Sequence, residues 1–145
     1  MRPATAEAME RGRALFNERR FFQAHEAWEE AWLREEGELR LILQGLIQIA
    51  AALHKTARGD QPSGCVRLLD WGLEKLEGRA RSCPELDLLG FRSRVSAFAK
   101  LVGRWQRGEL EAPRPTAFPR LGRKRLSSRK RAPARRGGSR KPSAS

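Results

Sequence analysis

Residues 38–57 read ELRLILQGLIQIAAALHKTA, and this stretch decides the fold. Leu39, Leu41, Ile42, Leu43, Leu46, Ile47, Ile49, the alanines 50–52 and Leu53 leave almost no polar side. A helix apolar all round is one that neighbouring elements cover on most faces. The stretch is therefore expected to be the central helix of an all-α protein. Its apolar core, residues 45–53, is interrupted by Gln48 and falls well short of the roughly 20 residues a spanning helix needs.

Helical periodicity extends outward on both sides, and no period-two alternation competes with it. Thr5 is expected to cap a first helix reaching about residue 18, and a second is expected over residues 21–35, ended by Gly37. Downstream, Gly59-Asp60-Gln61-Pro62 breaks the central helix. A fourth helix over residues 63–78 turns Val66, Leu69, Leu73 and Leu76 inward, and Pro84 marks the next connection. The fifth has a stripe of Leu88, Phe91, Val95, Phe98, Val102 and Trp105 at alternating spacings of three and four. Connections this short favour antiparallel neighbours, which predicts a compact bundle of four to five helices. A tetratricopeptide solenoid is disfavoured, because no 34-residue repeat is present.

The charge divides the chain in two. Of 30 basic and 17 acidic residues, twelve Lys/Arg and no acid fall in residues 113–145, leaving 18 basic and 17 acidic in residues 1–112. We therefore expect a near-neutral helical bundle domain, 1–112, and a disordered polycationic tail, 113–145. Phe118 and Leu121 are the exception within the tail, since they can fold back over the bundle as an extended strap. The first fifteen residues lack an apolar signal-peptide core, and no transmembrane segment is apparent, so a cytoplasmic protein is expected. Cys65 and Cys83 have no CxxC or CxxH neighbour, which suggests neither a zinc site nor a disulfide framework.

Several polar residues do not fit a plain surface or a plain core. In residues 21–32, FFQAHEAWEEAW, the positions Phe21, His25, Trp28 and Trp32 share one face, with Glu29 beside His25 and a second pair at Glu26 and Glu30. Gln44 and Gln48 are the only polar residues between Leu41 and Leu53. If the second and third helices are antiparallel neighbours, the glutamines face His25, Glu26 and Glu29. Three readings are open for this cluster. It is a metal site with His25, Glu26 and Glu29 as ligands for a divalent ion and Glu26 or Glu30 as general base. It is a small-ligand pocket, in which His54 joins Gln44 and Gln48 as the polar site. Or it is a satisfied polar network that fixes helix packing, the simplest of the three. The ligand count is short for a metal, because His54 lies 80–120° from the glutamine stripe on a wheel of about 3.6 residues per turn. Trp28 and Trp32 are read as core, with Trp71 and Trp105 as packing anchors on later helices. No Gly-x-Ser-x-Gly elbow, cysteine–histidine pair or phosphate-cradling glycine loop is present.

Phe16-Asn17, then Phe21-Phe22-Gln23-Ala24-His25-Glu26-Ala27-Trp28-Glu29-Glu30-Ala31-Trp32, then Gln44-Gly45-Leu46-Ile47-Gln48, His54 and Arg58-Gly59-Asp60 follow one another in order. This succession resembles the bacterial and archaeal family called domain of unknown function 309, over about residues 10–77. The resemblance implies a small all-helical fold. It supplies no established activity, although members are sometimes labelled metal-dependent hydrolases. Gln23 stands where the family commonly has glutamate, and Asp60 where it has asparagine.

The tail carries the remaining signal. Arg123, Lys124, Arg125, Arg129, Lys130, Arg131, Arg135 and Arg136, spaced by Pro, Gly, Ser and Ala, resemble the tails of DNA-compacting proteins. Such a polycation neutralises phosphates without reading bases. The sequence thus supports two functions: a non-enzymatic module whose tail binds nucleic acid or another polyanion, and a metal-dependent hydrolase using the His25/Glu26/Glu29 block.

Overall fold

The computed structural model describes residues 1–124. Five helices follow in order: α1 (Pro3–Asn17), α2 (Phe21–Trp32), α3 (Gly37–Ala57), α4 (Pro62–Leu76) and α5 (Leu88–Gln106). Short 3-10 turns lie at Ala80–Ser82 and Pro115–Ala117. The fold is all-helical, as the periodicity predicts. Helix α3 is the longest element and packs on both α2 and α4, while α1 packs on α2 and α5 on α4. Phe16 of α1 meets Phe91 of α5 edge-on at 5.5 Å and closes the circuit of helices.

Two helices approach unusually closely where glycines allow it. A Cβ on Gly45 of α3 would stand 3.0 Å from the Gly72 carbonyl of α4, and one on Gly72 would stand 2.9 Å from the Gly45 carbonyl. Gly12 of α1 serves the same end for a side chain, since any Cβ there would overlap the indole of Trp28. Trp28 is fully buried and donates its Nε1–H to the Met9 carbonyl at 3.2 Å.

Three boundaries differ from expectation, each for a tertiary reason. Thr5 does not cap α1: Pro3 occupies its first turn, where a missing N–H costs nothing. Thr5 is instead buried within the helix and donates to Glu35 at 2.6 Å. Glu35 in turn lies outside α2, which ends at Trp32, because its carboxylate is drawn inward to that hydroxyl. Gly37, at φ +64°, opens α3 rather than closing α2. Trp71 is also no packing anchor: it is 47% exposed on α4.

The strap is present and longer than its two apolar residues suggest. Phe118 inserts between Phe21 (5.6 Å) and Phe98 (5.2 Å), and Leu121 is fully buried. Leu86 and Arg123 form an isolated antiparallel bridge, flanked by Asp87 N–H to Gly122 carbonyl at 3.0 Å and Lys124 N–H to Glu85 carbonyl at 2.9 Å. Residues 113–124 thus pack with the bundle, and the change of composition at 112/113 does not mark where packing ends. Three buried apolar side chains, Phe118, Pro119 and Leu121, and a set of backbone hydrogen bonds hold a proline-rich segment whose composition alone predicts no order. Arg19 is fitted to this strap. It adopts a left-handed conformation, φ +69°, at a cost of about 1–2 kcal/mol. Its guanidinium donates to the Pro115 carbonyl at 3.1 Å and lies 5.9 Å from the Phe118 ring centroid.

Candidate functional site

Which face α2 turns inward sets the site. Its buried residues are Phe21, Ala24, Ala27, Trp28 and Ala31, so the inward stripe is turned toward the alanines by about 65° on the helical wheel. Small side chains let neighbouring helices approach, and they take the centre of the contact. His25 and Trp32 are left half-buried at its edge, and Glu26, Glu29 and Glu30 face solvent. Glu30 pairs with Arg11 at 3.1 Å, and Trp32 is covered by the Arg40 guanidinium, 4.0 Å from its ring.

The expected cluster is therefore not assembled as one site. No hydrogen bond joins Gln44 or Gln48 to His25, Glu26 or Glu29 among the described residues. The Oε1 of Gln48 and the Nδ1 of His25 are each buried without a partner. Among the described residues no three of His, Cys, Asp and Glu come together in a ligand set. His25 instead shares Phe22 with His54, the residue set apart from the glutamine stripe of α3.

The rings of His25 and His54 both lie beside Phe22. The Phe22 ring stacks on His25 at 6.1 Å and 14°, and lies 5.7 Å from His54 at 45°. These rings border a groove of about 290 Å³ that Phe21, Ala51, Lys55, Arg58 and Asp60 complete. Helix α2 supplies Phe22 and His25 from its first turns, one turn apart on the same edge. The last turn of α3 supplies His54 and Lys55, whose type suits the negative end of a helix dipole. Gly59, at φ +71°, then reverses the chain so that Asp60 N–H reaches the Lys55 carbonyl at 2.9 Å. The same turn sets the Asp60 carboxylate 3.3 Å from Arg58 Nε. Lys55 has no carboxylate within ion-pair distance among the described residues.

Sequence alone assigns no role to Phe22, Lys55 and Arg58, which line the groove. A large apolar residue on the outer edge of an amphipathic helix was the available signal: Phe22 is 52% exposed.

The basic residues fall into two groups. Arg123 is engaged by the bundle, its Nη2 2.6 Å from Glu10 Oε2. Arg13 and Arg123 together, through side-chain hydrogen bonds, hold the Glu10 carboxyl down at about 2. Lys124 is pinned by its backbone but exposed. Arg125, Arg129, Lys130, Arg131, Arg135 and Arg136 lie outside the described residues. No helix among the described residues is long and apolar enough to cross a membrane.

Comparison with known proteins finds one family: residues 9–68 match the model described as Domain of unknown function (DUF309). This span runs from the middle of α1 to the middle of α4 and holds every residue of the groove. No curated protein and no solved structure matches the chain.

Proposed function

We propose that this chain, whose residues 9–68 match the model of domain of unknown function 309, a description that carries no activity, is a helical module that attaches to nucleic acid through its basic C-terminal residues. One observation carries this reading: twelve Lys/Arg and no acid in residues 113–145, against near balance in the rest. Of the twelve, eight follow Lys124, the last residue of the strap described as bonded to the bundle. Cations in such number attract phosphates by releasing counterions, with no need to read bases.

The test is DNA binding as a function of salt, for the full chain and for one ending at Lys124. The shorter chain keeps the strap and its contacts. The full chain should bind with a log–log salt slope no steeper than about −7, the value for eight engaged phosphates. The shorter chain should lose this binding. Equal affinity of the two would overturn the reading.

A further inference from the structure

We propose that the groove between the first turns of α2 and the last turn of α3 binds a small organic phosphate that carries a planar aromatic ring. The proposal does not depend on the tail: none of the basic residues after Arg58 lines the groove.

Shape comes first. A concavity of about 290 Å³ is at the small end of ligand sites, enough for one ring and one anionic group. Its floor is apolar, from Phe21 and Ala51, and one wall is the half-exposed Phe22 ring. That ring lies against two imidazoles, which order it, and still leaves half its surface exposed for a ligand. Flat apolar walls of this kind take a planar ring by stacking, a sequence-tolerant interaction because any aromatic ligand has a π-face.

Charge decides the rest of the ligand. The rim holds two permanent cations, Lys55 and Arg58, against one acid, Asp60. Asp60 is within ion-pair distance of Arg58 Nε, which leaves the two terminal guanidinium nitrogens for another acceptor. Lys55 has no protein carboxylate to serve, and its ammonium brings three donors. A phosphate can engage an ammonium and a guanidinium edge together through charge-assisted hydrogen bonds. A cationic ligand would meet the net positive rim, and a neutral aromatic would leave both cations unused. His25 adds direction: with Nδ1 buried and without partner, its other ring nitrogen is the one free to meet a ligand.

Phenyl phosphate is the smallest probe with both halves, and phenol and inorganic phosphate are its parts. Imidazole signals of His25 and His54, followed by NMR on the full chain, should shift saturably with phenyl phosphate. Each part alone should bind far more weakly. Lys55→Ala should weaken phenyl phosphate about tenfold, as loss of one charge-assisted hydrogen bond does. Phe22→Ala should weaken it by a similar factor of about ten through lost stacking. Both side chains are exposed, so neither variant threatens the fold. Ordinary capture of phosphate by the basic tail would leave the two imidazole signals where they are, and that result sinks the proposal. So does inorganic phosphate binding as tightly as phenyl phosphate, or affinity unchanged in both variants.

Discussion

Asn17 grips Leu121 in both directions: its side-chain carbonyl accepts from the Leu121 N–H at 2.8 Å, and its amide donates to the Leu121 carbonyl at 2.9 Å. The two residues are 104 positions apart. One short side chain at the end of α1 therefore satisfies the backbone of a buried strap residue. Asn17→Ala should leave the Leu121 N–H unpaired, while its carbonyl keeps the 3.1 Å bond from Arg13. The expected loss in urea unfolding is about 1–3 kcal/mol. An unchanged midpoint would show that water replaces the asparagine at no cost.

Phe118 is the strap's main apolar anchor, 4% exposed and set between two other phenylalanines. Phe118→Ala removes both ring pairs and opens a cavity, for a loss of about 3–5 kcal/mol. Chemical denaturation would measure it, and a value under about 1 kcal/mol, the range of isolated surface changes, would mean that the strap is not part of the cooperative unit.

Gly12→Ala ought to help α1 by about 1 kcal/mol on helix propensity alone. The structure predicts the opposite sign, because the new methyl overlaps the Trp28 indole. Overpacking of this sort costs about 1–3 kcal/mol. The decisive comparison is a double-mutant cycle with Trp28→Leu, in which the alanine should cease to destabilise. Additive effects would place the penalty elsewhere.

Glu10 links α1 to the strap through Arg123, and its carboxyl titrates at about 2 instead of the usual 4.5. A depressed carboxylate contributes stability above its unfolded value and loses it as pH falls through the folded one. The contribution should thus be whole above about pH 4.5 and gone near pH 2. Its size is reduced by solvent screening, since the Glu10 side chain is 43% exposed. Carboxyl carbon shifts of Glu10 would follow the titration, and Glu10→Gln should remove the matching part of the pH dependence of unfolding.

Cys83 is fully buried, and burial, followed by the Glu85 charge, pushes its thiol up to about 12. Burial raises Cys65 as well. Since the thiolate is the reactive form, neither should react with a disulfide reagent at pH 8 in the folded protein. Both should react promptly once urea unfolds it. Fast labelling of the native chain would contradict the burial.

The sequence shows the helices and hides their partners. The apolar runs in residues 38–57 and 88–105 place α3 and α5 closely, because periodicity is a local signal. Thr5, Glu35, Asn17 and Leu121 could not be read that way, because each takes its role from a residue many positions distant. The site follows the same rule. A wheel puts His25 on the tryptophan face, but three alanines together with Trp28, and not Trp32, settle where α2 makes contact. That rotation sent Glu26, Glu29 and Glu30 outward and carried His25 to the edge where Phe22 and His54 wait. Gly45 explains one part of the signature block in full: the helix crossing at Gly72 leaves no room for a side chain.

The strap also has a meaning for the order of synthesis. It is the last described segment to leave the ribosome, after every helix whose surface it covers. Until Phe118 and Leu121 emerge, the rings of Phe21 and Phe98 and the end of α1 face water, and the nascent bundle is a body with an open seam. Its stickiest period falls between completion of α5 at Gln106 and the appearance of Leu121, an interval of some fifteen residues, or about one to three seconds of elongation. A chain truncated within that interval should aggregate, whereas one carried through to Lys124 arrives already sealed.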